Sequence, residues 1–339
     1  MKRDKAFFLK KLYKLRHGRG WSHNAQLWPY TRIWRDAAGV ICRFRVSGVD
    51  AALTPYRQMF PGGVVPGHII LSGPSIRQID YSQLGLGGVM GVNGAICLRE
   101  RYPEVEFSHY CIIDEHFVAR RRDIVAEVLR SDLGLFVTPT VLFAILRSFS
   151  LHDIRCRVCV IEKVTEKALL PEPSLLELKR HQSPLVHVLD SPQKLGFSLD
   201  PEHGLFDADT VAYAALQLLA AAGARSIYFH GLDLSAPGPR FYESADDVCA
   251  SRLSKNYHHY IEPSFRCASA LCREKGIQLY NLSTISVLPD AIIPKINWRT
   301  LVEASSASGE RDSVEEPGTW NGRQRAYAAS ASCLSTSLA

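Results

Sequence analysis

The sequence has no apolar run of about 18 residues, and Met1-Lys2-Arg3-Asp4-Lys5 does not lead into the unbroken hydrophobic stretch of a secretory signal. Membrane-spanning and exported proteins are thereby disfavoured, and a cytosolic protein is expected. Regular cysteine spacing is also missing: nine cysteines, an odd number, do not form a disulfide framework in a chain of 339 residues. Cys156-x-x-Cys159 has no second pair of matching spacing, and in a strand its two sulfurs would point to opposite faces, so a zinc site is disfavoured. No clear Asp-x-Asp metal pair stands at a strand end, because Asp207-Ala208-Asp209 is better explained as the start of a helix. No nucleic-acid-binding motif accompanies the net charge of +6. With 46% hydrophobic residues the chain can bury a full core, and one domain of about 250 residues with appendages is the natural expectation.

What is present begins with charge. The first twenty residues hold eight Lys or Arg against one acid. Phe7, Phe8, Leu9, Leu12, Tyr13 and Leu15 can share one broad helical face, with Lys5, Lys10, Lys11, Lys14 and Arg16 around it. A basic amphipathic helix of this kind suits an anionic lipid surface, and equally a helix docking on its own domain.

Strand and helix patterns then alternate. Strands are expected over 39–46, 69–71, 89–92, 109–113, 133–137, 226–230 and 277–282, and helices over 76–84, 95–101, 115–130, 140–149 and 263–275, with a short turn at 55–59. Val211, Ala214, Ala215, Leu218, Leu219 and Ala222 mark another helix, with Asp207 or Asp209 as its cap and Gly223 as its stop. The segment 165–205 is Pro-rich and poorly periodic, and reads as loop with short helices. The fold class is therefore α/β: a Rossmann-like, mostly parallel sheet with helices on both faces and a lid segment. Residues 1–60 form the arm and lead-in, 61–300 the main domain with its lid at about 235–262, and 301–339 a disordered Ser- and Ala-rich tail.

In such a sheet, four polar clusters fall together at the carboxyl rim: Ser72-Gly73-Pro74-Ser75, Asn93-Gly94, Asp114-Glu115 and Asp233. The serine turn has free N–H groups, a proline that fixes the first helical turn and a glycine that lets a ligand approach, so it suits a phosphate; an ordinary capped turn fits as well. Asn93 and Asp114 are also natural helix caps. The lid contributes Arg240-Phe241-Tyr242-Glu243 and Asn256-Tyr257-His258-His259-Tyr260. Arg120-Arg121-Arg122 is a further cationic group, either a solvated helix face or a contact for an anionic substrate.

The succession I-I-L-S-G-P-S, V-N-G-A, D-E-x-F, G-L-D-L, R-F-Y-E, F-R and I-x-L-Y-N-L-S, closed by an I-P segment, resembles the lipopolysaccharide core-biosynthesis family RfaZ/WaaZ over about residues 67–296. Members of that family are regarded as transferases of 3-deoxy-manno-octulosonic acid (Kdo). More distantly the chain is similar to bacterial CMP-sialic acid transferases, whose fold is a GT-A variant. The resemblance implies a nucleotide loop at Ser72, Gly73, Pro74 and Ser75, where the relatives usually have Asn in place of Ser72. It implies a donor contact at Asn93, a phosphate-binding tyrosine at Tyr242, with Ser235 in place of a second tyrosine, and a general-base histidine at His259. Asp114 and Asp233 are expected in the same donor-binding rim, and Arg240 beside the leaving phosphate.

The reaction implied is transfer of Kdo, or a related 2-keto sugar acid, from its CMP ester to an inner-core or lipid A acceptor. No cofactor beyond the CMP-sugar co-substrate is expected, no metal and no nucleic-acid partner. Little charge develops on the leaving phosphate, so Tyr242 and Arg240 suffice to stabilise it, and an imidazole has the right basicity to activate a hydroxyl. His258 competes with His259 for that role, since adjacent side chains diverge. The acceptor implies a peripheral protein on the cytoplasmic face of the inner membrane. Three rivals stay open: a sialyltransferase, a nucleotide-binding enzyme of the pyrophosphokinase kind, and a non-catalytic assembly factor.

Overall fold

The computed structural model describes residues 2–63, 65, 67–180, 183–234, 239–244 and 253–303, with 2–8 and 254 described by their backbone. The expected tail beyond 303, and the lid positions 235–238 and 245–252, lie outside the described residues. Helix α1 (Lys2–His17) opens the chain and a 3-10 segment, Arg19–Gln26, follows it. Tyr13 is buried, stacking on His17 at 4.3 Å and meeting Trp28 at 5.6 Å between ring centroids. Leu15 remains 85% exposed and Leu12 42%, so among the described side chains of α1 Tyr13 is the buried one while these two leucines stay at the surface. Phe7 and Phe8 lie outside the described side chains.

An antiparallel sheet follows: β1 (Thr31–Arg35), β2 (Ile41–Val46) and β3 (Val49–Asp50). The sequence pattern missed β1, whose alternation is masked by Arg32, Trp34 and Arg35. Its exposed side is cationic: Arg43 lies over Trp34, and Arg43 and Arg45 both reach Asp50. Phe44 and Val46 on the other side of β2 are buried in the main core.

The main sheet begins with β4 (His68–Ile70) and continues outward through β5 (Val89–Val92), β6 (Phe107–Ile112), β7 (Gly134–Val137) and β8 (Arg157–Val160). The insertion after β8 carries α5 (Leu175–Arg180) and a hairpin of β9 (Val186–Val188) and β10 (Gly196–Ser198), with more structure than a loop. Helix α6 (Val211–Ala222) then crosses back, and β11 (Ser226–His230) and β12 (Gln278–Asn281) complete seven parallel strands in the order β12-β11-β4-β5-β6-β7-β8. The order reverses between β4 and β11, which makes their carboxyl ends the switch point where ligands of such sheets bind.

Strand alternation divides the core in two. Ile69, Cys111, Phe136, Cys159 and Phe229 face α6 and α7 (Glu262–Glu274), whereas Ile70, Tyr110, Leu135 and Val158 face the opposite layer with α2 (Glu115–Arg120), α3 (Arg122–Arg130) and α4 (Pro139–Ser148). Cys156 and Cys159 fall in different cores, as the alternation requires. The α/β, Rossmann-like class with a parallel sheet read from the sequence is the class found.

Several helices differ from expectation. Where one helix was expected over 76–84, two 3-10 turns occur, Pro74–Gln78 and Tyr81–Gln83, because Ile79 is extended and the Asp80 carboxylate takes the Ser82 N–H at 3.2 Å. The expected helix over 115–130 breaks at Arg121 (φ −124°, ψ 56°) into α2 and α3. The cap of α6 is neither Asp207 nor Asp209 but Thr210, while Gly223, at φ 100°, ends the helix as expected. Asp207 instead pairs with Lys163 at 2.7 Å. Among the described residues no helix is long and apolar enough to cross a membrane.

Candidate functional site

The turn after β4 and the turn after β11 lock together. Ser75 donates its N–H to Asp233 Oδ2 at 2.9 Å and its hydroxyl to Oδ1 at 2.5 Å, and the Gly73 N–H donates to the Gly231 carbonyl at 3.2 Å. Gly73 is required here, since a Cβ would overlap that carbonyl and the Asp233 carboxylate. Pro74 begins the 3-10 turn. The serine turn is thus a capped strut whose cap comes from another strand, and the Asp233 carboxylate already holds the Ser75 donors expected to meet a phosphate. Asn281, fully buried on β12, ties the same corner: its amide donates to the Leu232 carbonyl at 3.2 Å and its Oδ1 accepts from the Ser283 N–H at 3.0 Å.

Polar groups left over define the crevice. Ser72 Oγ at the end of β4, Asn93 Oδ1 at the end of β5 and Ser283 Oγ past the end of β12 are buried with no hydrogen-bond partner among the described residues. Each such group costs about 1–3 kcal/mol if left unmet, and buried polar atoms of this kind ask for an explanation. Asn93 is also held at φ 48°, its carbonyl accepting from the Tyr110 hydroxyl at 2.6 Å. Three strand ends of one rim therefore present oxygens that a ligand would satisfy.

The first described part of the lid, 239–244, lies on this rim. The Phe241 N–H donates to the Ser72 carbonyl at 3.2 Å, and Arg77 donates to the Phe241 carbonyl at 2.9 Å. The Tyr242 ring packs flat on Gly94, where a methyl group would overlap it. Glu243 is a buried carboxylate that accepts from the Arg240 N–H at 2.9 Å, from Arg240 Nη1 at 2.7 Å and from Arg121 Nη2 at 3.4 Å. Burial pushes the Tyr242 phenol up to about 12, with Arg240 and Arg121 pulling against it, so the ring is a neutral hydrogen-bond donor at physiological pH.

Ser72, Asn93, Arg240 and Tyr242 are thus brought together, with Ser75, Gly73, Pro74 and Asp233 as the framework beneath. Asp114 stays apart: it caps α2 through the His116 N–H at 2.9 Å and pairs with Arg120 at 3.1 Å. The break at Arg121 separates the three arginines, sending Arg120 to Asp114, Arg121 to Glu243 and Arg122 to the Phe149 ring. His259 is exposed on the π-helical turn Tyr257–Ile261, with no described partner for its ring. That turn is anchored to the rim, since the Tyr257 hydroxyl donates to the Val287 carbonyl at 3.1 Å and the Val287 N–H donates to the Asp233 carbonyl at 3.0 Å. His258 is instead engaged with Glu262 at 3.3 Å. Reading the sequence named Arg121 within a cationic triplet and Glu243 within the lid motif without joining them, and gave no role to Asn281 or Ser283, which lie inside a quoted motif.

Residues 65–299 match the family described as 3-deoxy-D-manno-octulosonic acid transferase WaaZ. The chain is 28% identical over 237 residues to a probable 3-deoxy-manno-octulosonic acid transferase of Salmonella typhimurium, covering 67% of this chain and 85% of the relative. It is 26% identical over 252 residues to a protein of the same description from Escherichia coli, covering 73% and 88%. No solved structure matches the chain.

Proposed function

This chain belongs to the 3-deoxy-D-manno-octulosonic acid transferase WaaZ family, and from that membership we propose that it transfers Kdo from its CMP ester to an inner-core lipopolysaccharide acceptor. The observation that carries this reading is the docking of Phe241 and Tyr242 on the rim where Ser72 Oγ and Asn93 Oδ1 lack partners among the described residues. A glycosyl ester supplies what those groups need: hydroxyls for Ser72 and Asn93, and a phosphate for Tyr242 and Arg240.

In this reading the neutral Tyr242 phenol and the Arg240 guanidinium hydrogen-bond the phosphate as the glycosidic C–O bond lengthens, which stabilises the leaving group without a metal ion. Glu243 fixes the direction of Arg240, and the Ser75–Asp233 strut fixes Ser72. His259 takes the proton of the acceptor hydroxyl as it attacks. Its exposure suits a base that meets a large incoming substrate. The basic α1, with Leu12 and Leu15 outward, supports peripheral contact with the cytoplasmic face of the inner membrane, where such an acceptor is presented.

The test is incubation of purified protein with freshly generated CMP-Kdo and truncated lipopolysaccharide, followed by mass spectrometry of the lipid. A gain of one Kdo is expected. Turnover with CMP-sialic acid alone, an ATP- and magnesium-dependent reaction, or no CMP-sugar binding by calorimetry would each replace this reading with one of its rivals.

A further inference from the structure

The insertion between β8 and α6 encloses a pocket of about 530 Å³ that the transfer reading does not use. Its volume falls within the range of small-molecule sites. Val164, Leu170, Leu178 and Val186 supply apolar walls. Leu170, Leu176 and Leu185 of the same insertion are also exposed, at 36%, 56% and 48%, which gives this side of the molecule an apolar surface.

The charges around the pocket are mostly spoken for. Glu172 accepts from Lys194 Nζ at 2.6 Å; Glu177 accepts from the Ser174 N–H at 2.7 Å and its hydroxyl at 2.8 Å; His203 pairs with Asp200 at 2.8 Å. Lys167 is different. Half-buried in the pocket wall, its ammonium has no hydrogen bond or ion pair among the described residues, and Glu162 close by is held by Arg35 through two bonds. Burial lowers its pKa, the mark of an ammonium short of solvation.

The wall is firmly built. Asn24 accepts from the Leu169 N–H at 2.7 Å and donates to the Leu170 carbonyl at 2.9 Å, and the Glu172 N–H donates to the Gly20 carbonyl at 2.7 Å. These bonds join the pocket wall to the 3-10 segment that follows α1. An apolar cavity whose wall carries an ammonium with no partner among the described residues matches an anion that carries a hydrocarbon chain.

We propose that this pocket binds an anionic amphiphile, with its phosphate or carboxylate on Lys167 and its acyl chain along Val164, Leu170, Leu178 and Val186. The site is separate from the nucleotide rim and does not rest on the transfer reading.

Isothermal titration of the full chain with dodecyl phosphate and with dodecanoate, below their micelle concentrations, tests it. Saturable binding of either is expected, and the arm that binds more tightly identifies the headgroup. Lys167→Met should weaken binding about tenfold or more, and Lys167→Arg should keep it. Leu170→Glu, on a partly exposed wall, gives the same readout if Lys167→Met does not fold. CMP-sugar binding should be unchanged in every folded variant, which separates failure of this site from failure of the transfer reading. No saturable binding, undiminished binding in both Lys167→Met and Leu170→Glu, or equal binding of inorganic phosphate would overturn the proposal.

Discussion

Ser75 gives both of its donors to one carboxylate, that of Asp233, which arrives from a strand 158 residues away in the sequence. The pair clasps the two strand ends at the point where sheet order reverses. It turns a motif that reads as a phosphate loop into the hinge pin of the crevice, and leaves Ser72 Oγ as the buried group there without a partner among the described residues.

Asp233→Asn is therefore expected to act on stability before it acts on substrate. Losing one charge-assisted acceptor in a buried site should lower the unfolding free energy by about 1–3 kcal/mol, read from urea denaturation. A large rise in donor KM with an unchanged urea midpoint would instead place the carboxylate against the donor.

Gly94→Ala should displace the Tyr242 ring, since a Cβ has no room there. The backbone of Gly94, at φ −87°, accepts alanine. Donor binding should weaken about tenfold, and because Tyr242 also packs against the core, the overlap should cost about 1–3 kcal/mol of stability. Unchanged donor affinity by calorimetry would detach Tyr242 from the donor.

With its phenol pushed up to about 12, Tyr242 keeps its proton through the range in which an ordinary tyrosine ionises. The rate of CMP release should show no tyrosine-dependent fall near pH 10. Tyr242→Phe should reduce kcat by about 100-fold, the effect of removing one donor to a developing negative charge. Full activity in that variant would leave Arg240 as the sole donor.

Loss of a general base typically reduces the rate by about 100-fold or more. His259→Ala should do so for sugar transfer, with His258→Ala close to the parent because His258 is turned toward Glu262. The reverse ranking would exchange the two assignments.

Tyr81, His230 and His68 form a buried chain: the Tyr81 hydroxyl lies 3.1 Å from His230 Nδ1, and His230 Nε2 lies 2.9 Å from His68 Nδ1. A neutral set satisfies both bonds, with Tyr81 donating to His230 and His230 donating to His68. Burial lowers His68 to about 4 and holds His230 well below its ordinary value of 6.5. In the unfolded chain both take a proton as pH drops below about 6.5, whereas the folded protein does not, so acid favours unfolding. At pH 5 each should remove about 1–2 kcal/mol relative to pH 7.5. Equal urea midpoints at the two pH values would contradict this.

Legibility followed the range of the interaction. Six of the seven parallel strands and α6 were readable because apolar periodicity and a glycine stop are local signals; β8 was absent from the expected strands. The helix expected over 115–130 has continuous periodicity, yet Arg121 leaves it, in a geometry that carries its guanidinium to Glu243 across 122 residues of sequence. The turn at 72–75 was found correctly as a turn, but its ligand-like partner, Asp233, lay beyond any local pattern. Strand β1 escaped because its outward residues are arginines and a tryptophan that satisfy one another and Asp50 at the surface, not in a core.

The bonds from Asn24 and Gly20 to residues 169–172 bear on how the amino-terminal region can be dissected. Deletion through residue 30 would strip these fasteners from the insertion, and the His23 contact with the Lys167 carbonyl, along with the cationic helix, so any defect would mix loss of that helix with a slackened β8–α6 segment. Ending the cut before Gly18 spares those fasteners, and the shorter deletion is the one whose phenotype tests the proposed lipid contact of α1.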